Sequence, residues 1–215
     1  MLIDIMSLKE EKESIRKSIY EKLFNECQSL RPNGDYGKIP NFKGSDIAAR
    51  LLAGTEEWKN SKNIFCSPDS AQIPVRYLAL KENKNIIMAS PNLENGYLYL
   101  EGKNLDGKER EASTKEGAFI HCSRFFDFGE CSSFDIAIDM VVEGSVGVDR
   151  FGNRIGKGKG YGDREIEDLF NKNLINEKTP LVTTIHPFQL IDYIPTESHD
   201  RKLNMIVSTD EVIRI

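Results

Sequence analysis

The run DIAIDMVVE, residues 135–143, followed by GSVGVDRFGNRIGKGKGYGD, residues 144–163, decides how the chain folds. The first segment is a nearly continuous apolar stretch, the pattern of a strand buried on both faces of a sheet. The second is rich in glycine and charge and leads into Glu165–Leu174, whose apolar residues recur at helical spacing. Buried strand, polar loop and helix, in that order, form the repeating unit of an α/β protein.

Outward from this unit the alternation persists. Ser7 with Glu10 makes an S-x-x-E capping box that predicts a helix from about Leu8. Ile15, Ile19 and Leu23, with Tyr20, Phe24 and Cys27, place an apolar stripe along it, and Arg31-Pro32 is expected to lie beyond its end. Ser45–Leu52 reads as a short helix ended by Gly54, Asn63–Cys66 as a strand and Val75–Lys81 as a helix. Asn85–Ala89, Tyr97–Leu100, Phe119–Cys122 and Leu181–Ile185 are expected strands; Leu203–Val207 is the last, with a helical turn near residues 210–213. Such alternation predicts a parallel or mixed sheet covered on both faces. No repeat, low-complexity tract or linker interrupts residues 1–215, so one domain is expected.

Composition narrows the partners. The chain has 39% hydrophobic and 29% charged residues, the balance of a soluble globular protein. Twenty-nine Lys and Arg against 34 Asp and Glu give a net charge of −5, which supplies no electrostatic reason to expect nucleic acid. No apolar run approaches a membrane span, and the first residues turn charged too early for a signal peptide. The expectation is a cytoplasmic chain with no membrane partner. Cys27, Cys66, Cys122 and Cys131 form no CxxC pair and share no ligand spacing with the histidines, so reduced, mostly buried thiols are expected.

The chemistry concentrates in the loop. Gly156, Gly158, Gly160 and Gly162 alternate there with Lys157, Lys159 and Tyr161. Alternating glycines leave the backbone free for positive φ, so successive N–H groups can converge on phosphate oxygens at a helix entrance. The lysines add full positive charges. G-x-x-x-x-G-K-[ST] is absent, and G-x-G-x-x-G counted from Gly158 meets Asp163 instead of glycine, so neither a P-loop NTPase nor a dinucleotide fold is indicated. A solvated polar hairpin is the plainer alternative. Asp163, at the expected helix start, suits an N-cap or a carboxylate that holds Mg²⁺ beside phosphate. His186 follows the 181–185 strand, either packed or at the sheet edge where ligands bind.

The segment RIGKGKGYGD, residues 154–163, resembles the signature R-x-G-x-G-x-G-Y-Y-D of the 5-formyltetrahydrofolate cyclo-ligase (methenyltetrahydrofolate synthetase) family. Arg154, Gly156, Gly158, Gly160, Tyr161 and Asp163 match, while Gly162 stands where that family usually has a second tyrosine. The run from Lys12 to Arg16 is similar to the family's K-x-x-L-R, and Ile194-Pro195 with His199-Asp200, Leu203 and Ile206 resembles its closing segment. Residues 39–44, 67–76 and 88–93 resemble a divergent branch that includes archaeal cyclo-ligase-like proteins and methenyltetrahydrofolate synthetase domain-containing proteins. Asp69 and Gln72 stand in the region where typical members carry a glutamate that helps hold the pterin.

The resemblance implies a three-layer α/β/α sandwich with a mostly parallel, Rossmann-like central sheet. It implies ATP- and Mg²⁺-dependent cyclisation of 5-formyltetrahydrofolate to 5,10-methenyltetrahydrofolate, with ADP and phosphate released through phosphorylation of the formyl oxygen. Nucleotide contacts are then expected from Lys12, Arg16, Gly156, Lys157, Gly158, Lys159, Gly160 and Gly162, and catalytic roles for Lys159, Tyr161 and Arg154. Asp69, Gln72, Arg76 and Tyr161 are expected to bind substrate, and Asp163 and Asp200 the metal. The expected partner is a small folate, and the expected state a monomer or weak homodimer. Two alternatives keep the same loop: a nucleotide-binding regulatory module without turnover, or ATP-dependent activation of a different pterin or amide.

Overall fold

The computed structural model describes residues 7–90, 96–126, 136–197 and 200–215. Helix α1 (Leu8–Asn25) opens on the expected capping box: Glu10 N donates to Ser7 Oγ at 3.4 Å, and Ser7 N donates to the Glu10 carboxylate at 2.9 Å. Then come α2 (Ser45–Ala53), α3 (Glu56–Asn60), β1 (Asn63–Cys66), α4 (Ile73–Lys81), β2 (Asn85–Ala89) and β3 (Tyr97–Glu101). They are followed by α5 (Glu109–Ala112), α6 (Lys115–His121), β4 (Arg124–Phe126), β5 (Met140–Glu143), β6 (Gly147–Asp149) and β7 (Arg154–Ile155). The chain ends with α7 (Tyr161–Asn171), β8 (Leu181–Thr184), β9 (Leu190–Ile191), β10 (Met205–Val207) and β11 (Val212–Arg214).

Among the described residues, eight strands form one sheet in the order β11-β10-β8-β5-β1-β2-β3-β4. The five from β10 to β2 run parallel, while β11 at one edge and β3 and β4 at the other pair antiparallel. Side chains alternate between the faces, as the pleat requires. Ile64, Cys66, Met140 and Val142 pack with Leu23 of α1, Leu52 of α2 and Leu80 of α4, whereas Phe65 and Val141 pack with Ile166 and Leu169 of α7. Helices therefore cover both faces, giving the three layers. Since β1 and β5 are buried on either side, they read as continuous apolar runs rather than alternating ones.

Sheet order also locates a crevice. β2 lies on one side of β1 and β5 on the other, so the crossovers leave in opposite directions and open a gap beyond the carboxyl ends of β1 and β5.

Several expectations are corrected. Residues 119–122 belong to a helix and its C-cap rather than a strand, because Thr114 caps α6 by accepting from Gly117 N at 3.0 Å. Residues 212–214 form a strand, not a helical turn: Ser208 Oγ accepts from Asp210 N and Glu211 N at 3.1 and 3.0 Å, reversing the chain onto β10. The central strand is confined to Met140–Glu143, and Asp135 lies outside the described residues. Within the expected loop, β6 and β7 pair as a hairpin, and β9 joins β6 in a second sheet, three-stranded among the described residues. Of the cysteines, Cys66 is buried, Cys122 half-buried and Cys27 exposed, all free, with Cys131 outside the described residues.

Candidate functional site

The crevice at the switch point is a cleft of about 920 Å³, in the upper range for small-molecule sites. Ser67, Pro68 and Asp69 enter it from the end of β1, Ser90 from β2, and Glu143 and Gly144 from β5. The glycine loop forms another wall, α1 contributes Lys12 and Arg16, and the C-terminal segment contributes Glu197 and Asp200.

Helix α7 explains the loop's conformation. Its N-cap is Gly160 in the left-handed region (φ 65°), with no side-chain cap, so the first N–H groups of α7 lack the usual side-chain acceptor. An uncapped helix start facing a cleft suits an anion. Asp163 is therefore a first-turn residue and not the N-cap. Gly158 also has positive φ (87°), and Arg16 packs against it: a Cβ there would lie 3.4 Å from Arg16 Cζ. Arg16 Nε donates to Gly156 O at 2.8 Å, tying α1 to the loop. These contacts put Arg16 of the N-terminal motif beside the glycines, although about 140 residues separate them in sequence.

The cations around the cleft are largely paired internally. Lys12 Nζ lies 3.0 Å from both Glu197 and Asp200, Arg154 Nη2 lies 2.6 Å from Asp163 Oδ1, and Lys157 lies 3.5 Å from Asp69. Burial pulls the Lys12 ammonium down, but its hydrogen bonds to Glu197 and Asp200 outweigh that and leave it raised. Lys159 is exposed on the cleft wall and makes no ion pair among the described residues. Tyr161 also lines the cleft, and the Arg164 guanidinium sits 4.8 Å from its ring centroid.

Two expected substrate residues are elsewhere. Gln72 and Arg76 are fully buried behind the cleft wall. Gln72 Nε2 donates to Thr184 Oγ1 at 3.2 Å. Arg76 donates to the carbonyls of Ser113 (2.8 Å), Ser67 and Asp69 (3.2 Å), so it holds the turn at the end of β1. His186 is packed edge-on between Phe42 and Phe188, its Nδ1 accepting from Phe188 N, away from the cleft. His199 lies outside the described residues.

What sequence reasoning missed is the acidic floor. Glu143 and Glu165 are 3% and 7% exposed and both line the cleft. Burial, then the neighbouring Glu165, raises Glu143 well above the ordinary carboxylate range, with Arg154 opposing. Burial, then Asp69, pushes Glu165 up to about 7, opposed by Lys157, Arg154 and Arg164. The available signal was a glutamate closing an otherwise apolar strand immediately before the glycines.

No group of three or more metal-binding side chains gathers among the described residues. Asp163 and Asp200 instead border the cleft singly, a donor set that fits an ion held by one or two carboxylates together with phosphate oxygens and water. No described helix is long and apolar enough to cross a membrane.

The chain is similar to known proteins in sequence and in fold. The chain is 31% identical over 209 residues to the mouse methenyltetrahydrofolate synthase domain-containing protein, a match covering 94% of this chain and 54% of that one. The bovine counterpart is 30% identical, with 94% and 53% covered; the chain spans about half the length of the curated relatives it matches. In fold it is similar to the 5,10-methenyltetrahydrofolate synthetase of Aquifex aeolicus, with a TM-score of 0.58, 21% identity and coverage of 94% and 92%. The Mycoplasma pneumoniae synthetase is similar at a TM-score of 0.54 and 15% identity, covering 92% and 98%. Residues 8–209, from α1 through the cleft to β10, match the model of the 5-formyltetrahydrofolate cyclo-ligase family, and the chain belongs to that family.

Proposed function

We propose that the chain catalyses ATP-dependent cyclisation of 5-formyltetrahydrofolate to 5,10-methenyltetrahydrofolate, the formyl oxygen leaving as phosphate. The observation that carries the reading is the uncapped start of α7 behind a lysine-bearing glycine loop, facing a cleft at the carboxyl ends of parallel strands. Family membership supports the same reaction.

In this reading the amides of 156–162 and the Lys157 and Lys159 ammonium groups cradle the phosphates. Lys12 and Arg16 close the site from α1, and Tyr161 and Arg154 orient the reacting groups. Asp163 and Asp200 would hold Mg²⁺, which when bound neutralises charge on phosphate oxygens. Positioning and charge stabilisation do most of the work in such transfers, so no covalent nucleophile is required. Asp69 borders the space left for the second ligand.

A second reading, activation of a different pterin or amide, is favoured by one observation: Gln72 is sealed inside while Glu143 and Glu165 form the floor. Absorbance in the methenyl-folate band after mixing protein, Mg-ATP and 5-formyltetrahydrofolate separates the two; a flat trace with folded protein removes the first. Lys159→Ala and Asp163→Ala are each expected to abolish the thermal stabilisation given by Mg-ATP, and an unchanged shift would take the loop out of the site.

A further inference from the structure

One group in the cleft is used neither by the phosphate cradle nor by the ion pairs around it. Glu143 ends the central strand at the switch point, and its Oε1 has no hydrogen-bond partner among the described residues. A buried polar atom left unmatched is costly and calls for a ligand or a reason. Its other oxygen faces α7. A Cβ built on Gly162 would lie 3.1 Å from Glu143 Oε2 and 3.0 Å from Arg154 Nη2, tighter than side-chain carbons ordinarily pack. The missing side chain at Gly162 is thus what lets Glu143 and Arg154 share the floor beside the start of α7. Glu165 and Asp69 are its negative neighbours, raising Glu143 together with burial. A buried carboxyl oxygen left unmatched in this way is an acceptor site for an N–H donor.

We propose that Glu143 is a substrate-recognition residue whose free Oε1 accepts a hydrogen bond from an N–H edge of a nitrogen heterocycle bound beside the nucleotide, with Gly162 as its necessary companion. The identity of that ligand rests on the cyclo-ligase reading, since the reduced pterin of 5-formyltetrahydrofolate carries ring and amino N–H donors. The phosphate cradle and the Glu143 floor then divide the cleft between an anionic and a donor-rich ligand.

Equilibrium binding of Mg-ATP and of 5-formyltetrahydrofolate, measured separately on the whole chain, tests this. Glu143→Leu keeps the bulk without the acceptor; it is expected to weaken 5-formyltetrahydrofolate by about tenfold or more while Mg-ATP binding and the melting temperature hold. Glu143→Gln, which retains an acceptor oxygen, should recover part of the loss. Gly162→Ala should weaken the same ligand, and combined with Glu143→Leu it should add little, because both act on one contact. Unchanged 5-formyltetrahydrofolate affinity in Glu143→Leu overturns the inference, as does an equal loss of both ligands. If the unaltered chain binds 5-formyltetrahydrofolate but yields no methenyl product, the proposed reaction falls and this inference stands. No binding at all brings down both.

Discussion

Glu165 shows how one side chain can be held against its own chemistry. It begins the buried face of α7 with Asp69 and Glu143 nearby, and burial first, then Asp69, pushes its carboxyl from 4.5 up to about 7. A folded-state value above the unfolded one means the proton is bound more tightly in the native protein. The resulting stability is full below about 4.5 and lost as pH rises through about 7. Glu165→Gln without nucleotide is therefore expected to gain stability over the unaltered chain across that window, levelling at about 3 kcal/mol above it. Urea melts at pH 5 and pH 8 would reveal it, and an equal difference at both pH values would rule it out. Their spacing puts Lys12 and Arg16 on one face of α1, but only the resemblance to the family's N-terminal motif marked them as residues of the cleft they line. Gln72 and Arg76 were not legible, since a one-turn error in direction separates a cleft residue from a buried one.

Among the elements, the β6–β7 hairpin matters most for the site, because it launches the glycine loop. Its turn is organised by one buried carboxylate. Asp149 accepts from Phe151 N, Asn153 N, Asn153 Nδ2 and Ile194 N, all between 2.8 and 3.0 Å. Asp149→Ala leaves those donors unmatched, Ile194 N among them buried, and is expected to cost about 2–3 kcal/mol. It should also weaken Mg-ATP binding by loosening the loop; a stable variant with unaltered nucleotide affinity would contradict this. The hairpin was invisible in sequence because its strands are two and three residues long and lie within a polar run. Residues 119–122 misled for a related reason: a short apolar segment fits strand or helix, and only the Thr114 cap decides.

For the molecule as a whole, Arg76 joins three parts of the structure. From α4 it reaches the carbonyls at the end of β1 and that of Ser113 beyond α5, and all of it is buried. Arg76→Ala removes a buried cation and orphans those carbonyls, so a loss of about 3–5 kcal/mol is expected by chemical denaturation. An anion-binding arginine would instead show altered ligand affinity at unchanged stability. The same turn carries Asp69 into the cleft, so the integrity of the core and the shape of the floor depend on one side chain.

Sequence alone determined the α/β class, most of the parallel strands, the capping box of α1 and the alternation of glycine with lysine over residues 156–160, because each depends on residues close along the chain. Tertiary structure decided which cations meet which acids, that Gln72 and Arg76 turn inward, and that Glu143 and Glu165 share a floor beneath the loop. Those outcomes follow from strand order: neighbours across a switch point are brought together by crossovers whose direction no local pattern of residues records.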